Sequence, residues 1–90
     1  MRVKFFATFR DITHCKEENV PATNDVWELL LSLCERYQDF RAKLIDPSGS
    51  EVHAEAIVLV NGRDISHLSG KDTRLGETDV VSLFPVVAGG

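Results

Sequence analysis

Residues 2 to 9, RVKFFATF, alternate with a period of two: Val3, Phe5, Ala7 and Phe9 fall on one face, and Arg2, Lys4, Phe6 and Thr8 on the other. The spacing predicts a strand with one wholly apolar face. The polar stretch RDITHCKEENVPA follows. Within it Glu17 to Val20 carries a weak strand signal, which predicts an antiparallel edge strand where Pro21 is tolerable. From Thr23 the period becomes helical. Val26, Leu30, Leu33 and Tyr37, flanked by Trp27 and Cys34, form a stripe along TNDVWELLLSLCERYQDF. Thr23, Asn24 and Asp25 are all able N-caps, and Asp25 with Glu28 has the spacing of a capping box, so the helix starts within that window. Its stop falls around Asp39 to Leu44.

DPSG, residues 46 to 49, is a turn by composition, and a short loop runs on through His53. AIVLV then reads as a buried strand. Asn61-Gly62 before RDI is the strongest hairpin signal in the chain, because a type I′ turn needs positive φ at both central residues. Leu68 and Leu75 are candidate core residues in the connection to a last strand, DVVSLF, which places Val81 and Leu83 on one face and Val80, Ser82 and Phe84 on the other. The order β, β, α, β, short β, β predicts an α+β fold of the β-grasp type. It is a mixed sheet of about five strands covered by one main helix, with the first and last strands parallel neighbours. If Val3, Phe5, Val81 and Leu83 face the helix, then Phe6 and Phe84 point outward with Val80 nearby. Such a contiguous apolar patch is the mark of a partner surface. A slip of one residue in register would exchange the faces and bury both aromatics.

Ninety residues are read as one domain, 1–90, with 85–90 as an extended tail. A content of 43% hydrophobic and 27% charged residues lies in the ordinary globular range, so the chain is expected to fold unaided. The formal charge of −4 argues against nucleic-acid and anionic-membrane surfaces and favours a basic protein partner. Without a signal-peptide block or a spanning stretch, the expected location is the cytoplasm. Cys15 and Cys34 lack CxxC spacing and are expected to remain reduced there.

No catalytic constellation is visible. His14, His53 and His67 are scattered over predicted loops, Cys34 reads as a small buried hydrophobe, Cys15 as a loop thiol, and Asp64, Lys71 and Asp72 as residues of solvated turns. No bound cofactor or metal is expected. What remains is the ending LFPVVAGG. Pro85 ends the strand and stiffens the exit, Val86, Val87 and Ala88 offer grip in a dry groove, and Gly89 and Gly90 can pass a constriction that any side chain would block. Pro85 to Gly90 would span roughly 20 Å fully extended.

FFATFRDI at 5–12, VLVNGRDI at 58–65 and above all DVVSLFPVVAGG at 79–90 resemble the small, sulfur-carrying subunit of molybdopterin synthase and its archaeal-type relatives among the ubiquitin-like proteins. That family usually has a second proline where this chain has Val86, which leaves the tail less stiff. The resemblance implies a cycle carried by Gly90, with Gly89 beside it. A ubiquitin-activating-type adenylating enzyme would consume ATP to activate the Gly90 carboxylate, and a sulfur donor protein would convert it to a thiocarboxylate. The larger synthase subunit would then take the sulfur onto a pterin precursor. On that reading Phe6, Val80 and Phe84 are the docking face and Pro85, Val86, Val87 and Ala88 the lead-in. Three other functions fit the fold and ending: a ubiquitin-like modifier coupled through Gly90 to lysines, the thiamine-pathway sulfur carrier, and a plain binding module.

Overall fold

Val3, Phe5, Val81 and Leu83 are wholly buried. The strands that carry them, β1 (Arg2–Phe5) and β5 (Val80–Pro85), run parallel and side by side, Val3 opposite Val81 and Phe5 opposite Leu83. The structure, a computed structural model, describes residues 1–86. β2 (Glu17–Asn19) pairs antiparallel with β1, β3 (Ala56–Val60) antiparallel with β5, and β4 (Arg63–Asp64) antiparallel with β3. The five-stranded mixed sheet has the order β2-β1-β5-β3-β4. This is the β-grasp fold. Helix α2 (Val26–Arg36) lays Val26, Leu29, Leu30, Leu33 and Cys34 on the inner face. Each of these valine and leucine side chains taken fully from water contributes about 1.5–3 kcal/mol before entropy is subtracted.

The first strand does not continue to Phe9 as the alternation predicts. It stops at Phe5, and Thr8–Thr13 form a short helix, α1. The cause lies in the neighbouring strand. Along the parallel ladder Arg2 N donates to Asp79 O and Phe6 N to Leu83 O, both at 3.2 Å. The next bond would run from residue 85 N to Phe6 O, but residue 85 is a proline and has no N–H. Phe6 O instead accepts from Phe9 N at 3.1 Å, and the chain turns through Ala7 at φ 53°. Phe9 is buried from α1, where its ring meets Phe40 edge-on at 5.5 Å.

Of the three candidate caps, Asp25 is the one used. Its carboxylate accepts from Glu28 N at 2.9 Å, while the Glu28 carboxylate reaches back to Asn24 N at 3.0 Å. Asp25→Ala is expected to cost about 1 kcal/mol, read as a lower melting temperature in thermal denaturation. The helix also ends sooner than the stripe suggests. Tyr37 is extended (φ −131°, ψ 98°), and after it come a 3₁₀ turn (Gln38–Phe40) and a short helix α3 (Arg41–Leu44). Tyr37 is held at that break by its hydroxyl, which donates to Glu18 at 2.7 Å, and Arg36 pairs with the same carboxylate. The hydrogen bond to Glu18 raises the Tyr37 pKa. The break drops Phe40 into the core against Phe5, Phe9 and Tyr37.

The Asn61-Gly62 hairpin forms with both residues at positive φ, 51° and 84°. Leu68 and Leu75 are half-buried against the main core. Three turn carboxylates sit below the usual range: Asp79 through Asn61 and Gly76 N–H, Asp46 through Ser48, and Asp64 through Ser66 N–H. A depressed folded-state pKa means stability that is present above the unfolded value and lost as pH falls through the folded one. A melting series is therefore expected to decline below about pH 4, and less steeply in Asp79→Asn.

Candidate functional site

The strand parity that buries Val58, Val60, Val81 and Leu83 sends the intervening side chains to the other face of the sheet. There Phe6 stacks on Phe84 with ring centroids 4.2 Å apart and planes 8° from parallel. Ile57 is registered opposite Phe84, completing a row Phe6–Phe84–Ile57 at the C-terminal end of β5. A second row crosses the sheet as Glu17–Lys4–Ser82–Leu59–Asp64 and a third as Asn19–Arg2–Val80. Phe6, Ile57, Leu59, Val80 and Phe84 are each half-buried, and none packs into the main core. The face thus has an apolar centre and charged edges, with the Arg2 guanidinium on Glu17 at 2.9 and 3.0 Å. Sequence parity located Phe6, Val80 and Phe84 but missed Ile57 and Leu59. An unbroken run such as AIVLV shows no alternation, and only pairing with β5 assigns its faces.

Pro85 lies opposite Ala56, and Val86 N donates to Glu55 O at 2.8 Å, so the chain is tied to β3 up to that bond. Val86 is 47% exposed, the large apolar side chain most open to solvent among the described residues. A cleft of about 360 Å³ opens beside it between Thr8, Lys43, His53 and Glu55. Val87, Ala88, Gly89 and Gly90, named above as lead-in and reactive group, lie outside the described residues.

The remaining residues singled out in the sequence are dispersed over the described chain. His14 follows α1 in a left-handed conformation, His53 Nδ1 accepts from Glu55 N at 3.0 Å, and His67 sits in a 3₁₀ turn. Among the described residues no three His, Cys, Asp or Glu are grouped as metal ligands, and no helix is long and apolar enough to cross a membrane. Cys15 and Cys34 are free thiols, and burial pushes the Cys34 thiol up, the opposite of activation. Asp64 caps the turn at Ser66. Lys71, expected in solvent, instead lies over the Trp27 ring at 5.0 Å and pairs with Glu51 at 3.2 Å.

A β-grasp sheet with an outward aromatic stack beside the root of its C-terminal segment defines a ubiquitin-like protein of the sulfur-carrier architecture. The chain belongs to the ThiS family, whose sequence model matches residues 3–90. It is 39% identical to Small archaeal modifier protein 3 of Haloferax volcanii, over 100% of this chain and 98% of that one. It is 30% identical to the sulfur carrier protein CysO of Mycobacterium tuberculosis over 82% of each. The solution structure of small archaeal modifier protein 1 from Methanosarcina acetivorans superposes with a TM-score of 0.85 at 30% identity, covering 99% of this chain and 94% of that one.

These matches correct the expectation of a molybdopterin synthase subunit. That resemblance leaned on the last twelve residues and on a framework common to several carriers. The full-length likeness at 39% identity is to a modifier, and nothing ties the chain to the pterin pathway above the modifier role.

Proposed function

We propose that the chain is a ubiquitin-like protein modifier, activated at Gly90 and coupled to lysine amines of target proteins. The observation that carries the reading is the likeness over the whole chain to a small archaeal modifier protein. The chemistry begins with the Gly90 carboxylate attacking the α-phosphate of ATP in an adenylating partner, with loss of pyrophosphate. The acyl adenylate then passes its acyl group to a lysine nitrogen, releasing AMP and leaving an isopeptide bond. On this reading the chain supplies delivery and orientation and its partner the catalytic groups. The row Phe6–Phe84–Ile57 would seat the partner while Pro85 and Val86 lead the tail inward.

The match to the ThiS family and to CysO supports a second use of the same adenylate. Sulfide-level sulfur in place of the amine would attack the same acyl carbon, forming the thiocarboxylate and releasing AMP. Intact-mass measurement on protein isolated from its own cell, with a peptide search for branches through Gly90, distinguishes the outcomes. Branched conjugates support the modifier, and replacement of one terminal oxygen by sulfur supports the carrier. Neither species would sink both.

Phe84→Ala removes half of the outer stack without touching the core. It is expected to weaken binding to the adenylating partner by about 1–3 kcal/mol at an unchanged circular dichroism spectrum. Unchanged affinity in a titration would remove the docking role from this face.

A further inference from the structure

The Asn61-Gly62 turn carries a chemistry of its own. In a flexible chain an Asn-Gly pair is prone to self-reaction, because glycine has no Cβ to hinder its amide nitrogen. Here both ends of the Asn61 carboxamide are occupied: Oδ1 accepts from Val80 N at 2.9 Å, and Nδ2 donates to Asp79 Oδ1 at 2.9 Å. The Asn61 backbone N donates to Val80 O at 2.8 Å, and Asp79 is itself held by Gly76 N at 2.8 Å. Asn61 and Gly62 are nevertheless exposed, and nothing lies within 4 Å of where a Gly62 Cβ would be.

We infer that Asn61 is a spontaneous deamidation site gated by this clamp, so that modification marks molecules in which the β3–β4 turn has come away from the start of β5. In the step the Gly62 amide nitrogen loses its proton and attacks Asn61 Cγ. The new C–N bond closes a succinimide, and the Cγ–Nδ2 bond breaks, the departing nitrogen taking up that proton to leave as ammonia. Water then opens the ring at either carbonyl to give aspartate or isoaspartate, with no redox change. For Cγ to meet the Gly62 nitrogen the carboxamide must leave Val80 and Asp79, so both side-chain bonds have to break first. Either product damages the clamp it came from. Aspartate sets a carboxylate against that of Asp79, and isoaspartate lengthens the main chain at a turn that needs two fixed positive φ values. Both would loosen Val80, the first residue of the strand that leads to the tail.

The test follows the peptide containing Asn61 by mass, as a gain of about one mass unit, in the full chain kept native and in the same chain unfolded in urea at equal pH and temperature. Native deamidation is expected to be at least about tenfold slower, and Asp79→Ala to speed it at least about threefold while circular dichroism reports a folded protein. Asn19 and Asn24, which precede valine and aspartate, serve as slow internal references. Should Asp79→Ala unfold, hydrogen exchange at the Asn61 and Val80 amides of the unaltered chain decides, because deamidation must rise with amide opening as mild urea is added. Equal native and unfolded rates, a folded Asp79→Ala that matches the unaltered chain, or deamidation independent of amide opening would each overturn the gate.

Discussion

Removal of Gly89 and Gly90 is expected to abolish conjugation and thiocarboxylate formation together, by at least about a hundredfold, since a reacting group displaced by even an ångström loses that much. The truncated chain would end on Ala88, whose methyl group stands where the reading requires a backbone without Cβ. Folding should be untouched. The deleted residues come after the Val86–Glu55 bond and the buried core is assembled from residues between Val3 and Leu83, so the change in unfolding free energy should stay within about 0.5 kcal/mol. Blots for conjugates from cells expressing each form, with melting curves on the same preparations, check both halves. A large loss of thermal stability would show that the last glycines support the fold, and undiminished conjugation would move the reaction to another group.

Phe40→Ala is expected to have the largest effect on stability. Its ring is wholly buried and meets Phe5 at 5.9 Å, Phe9 at 5.5 Å and Tyr37 at 5.7 Å, joining the sheet, α1 and the end of α2 in one aromatic cluster. Truncation removes the buried ring and leaves a cavity that three elements would have to collapse together to fill, a cost of about 3–5 kcal/mol. For a chain of this length the total is of the order of 5–13 kcal/mol, so the variant should be near the edge of folding. Urea titration is expected to show a lower midpoint at unchanged slope. A loss under about 1 kcal/mol would mean that the ring is not enclosed as described.

The architecture was legible where one period ruled a segment. Val3 and Phe5, Val81 and Leu83, and the Asn61-Gly62 turn each carried a local signal that the neighbouring strands reinforced. The α2 stripe was equally clear at its start. Its end was not, because Leu33, Tyr37 and Phe40 keep helical spacing across the break, and what interrupts the helix is Glu18 on β2, distant in sequence. The turn into α1 failed for the same kind of reason. Ala7 and Phe9 fit a strand as well as a helix, and the deciding atom is a hydrogen missing from Pro85.

At the site, strand parity exposed Phe6 and Phe84, whereas Ile57 and Leu59 needed the pairing partner. The choice between modifier and pterin-pathway carrier was not legible in the chain's own residues, because one fold and one ending can serve several functions.

The tie between Val86 N and Glu55 O gives the proposed reactive end a fixed point of departure. Four fully extended residues span about 14 Å at most, which on the proposed reading bounds how far beyond Val86 the acyl group of Gly90 can be presented. An enzyme that seats itself on those two rings therefore needs its nucleotide within that radius, and the leash, more than any charge on the surface, would decide which active sites this chain can serve.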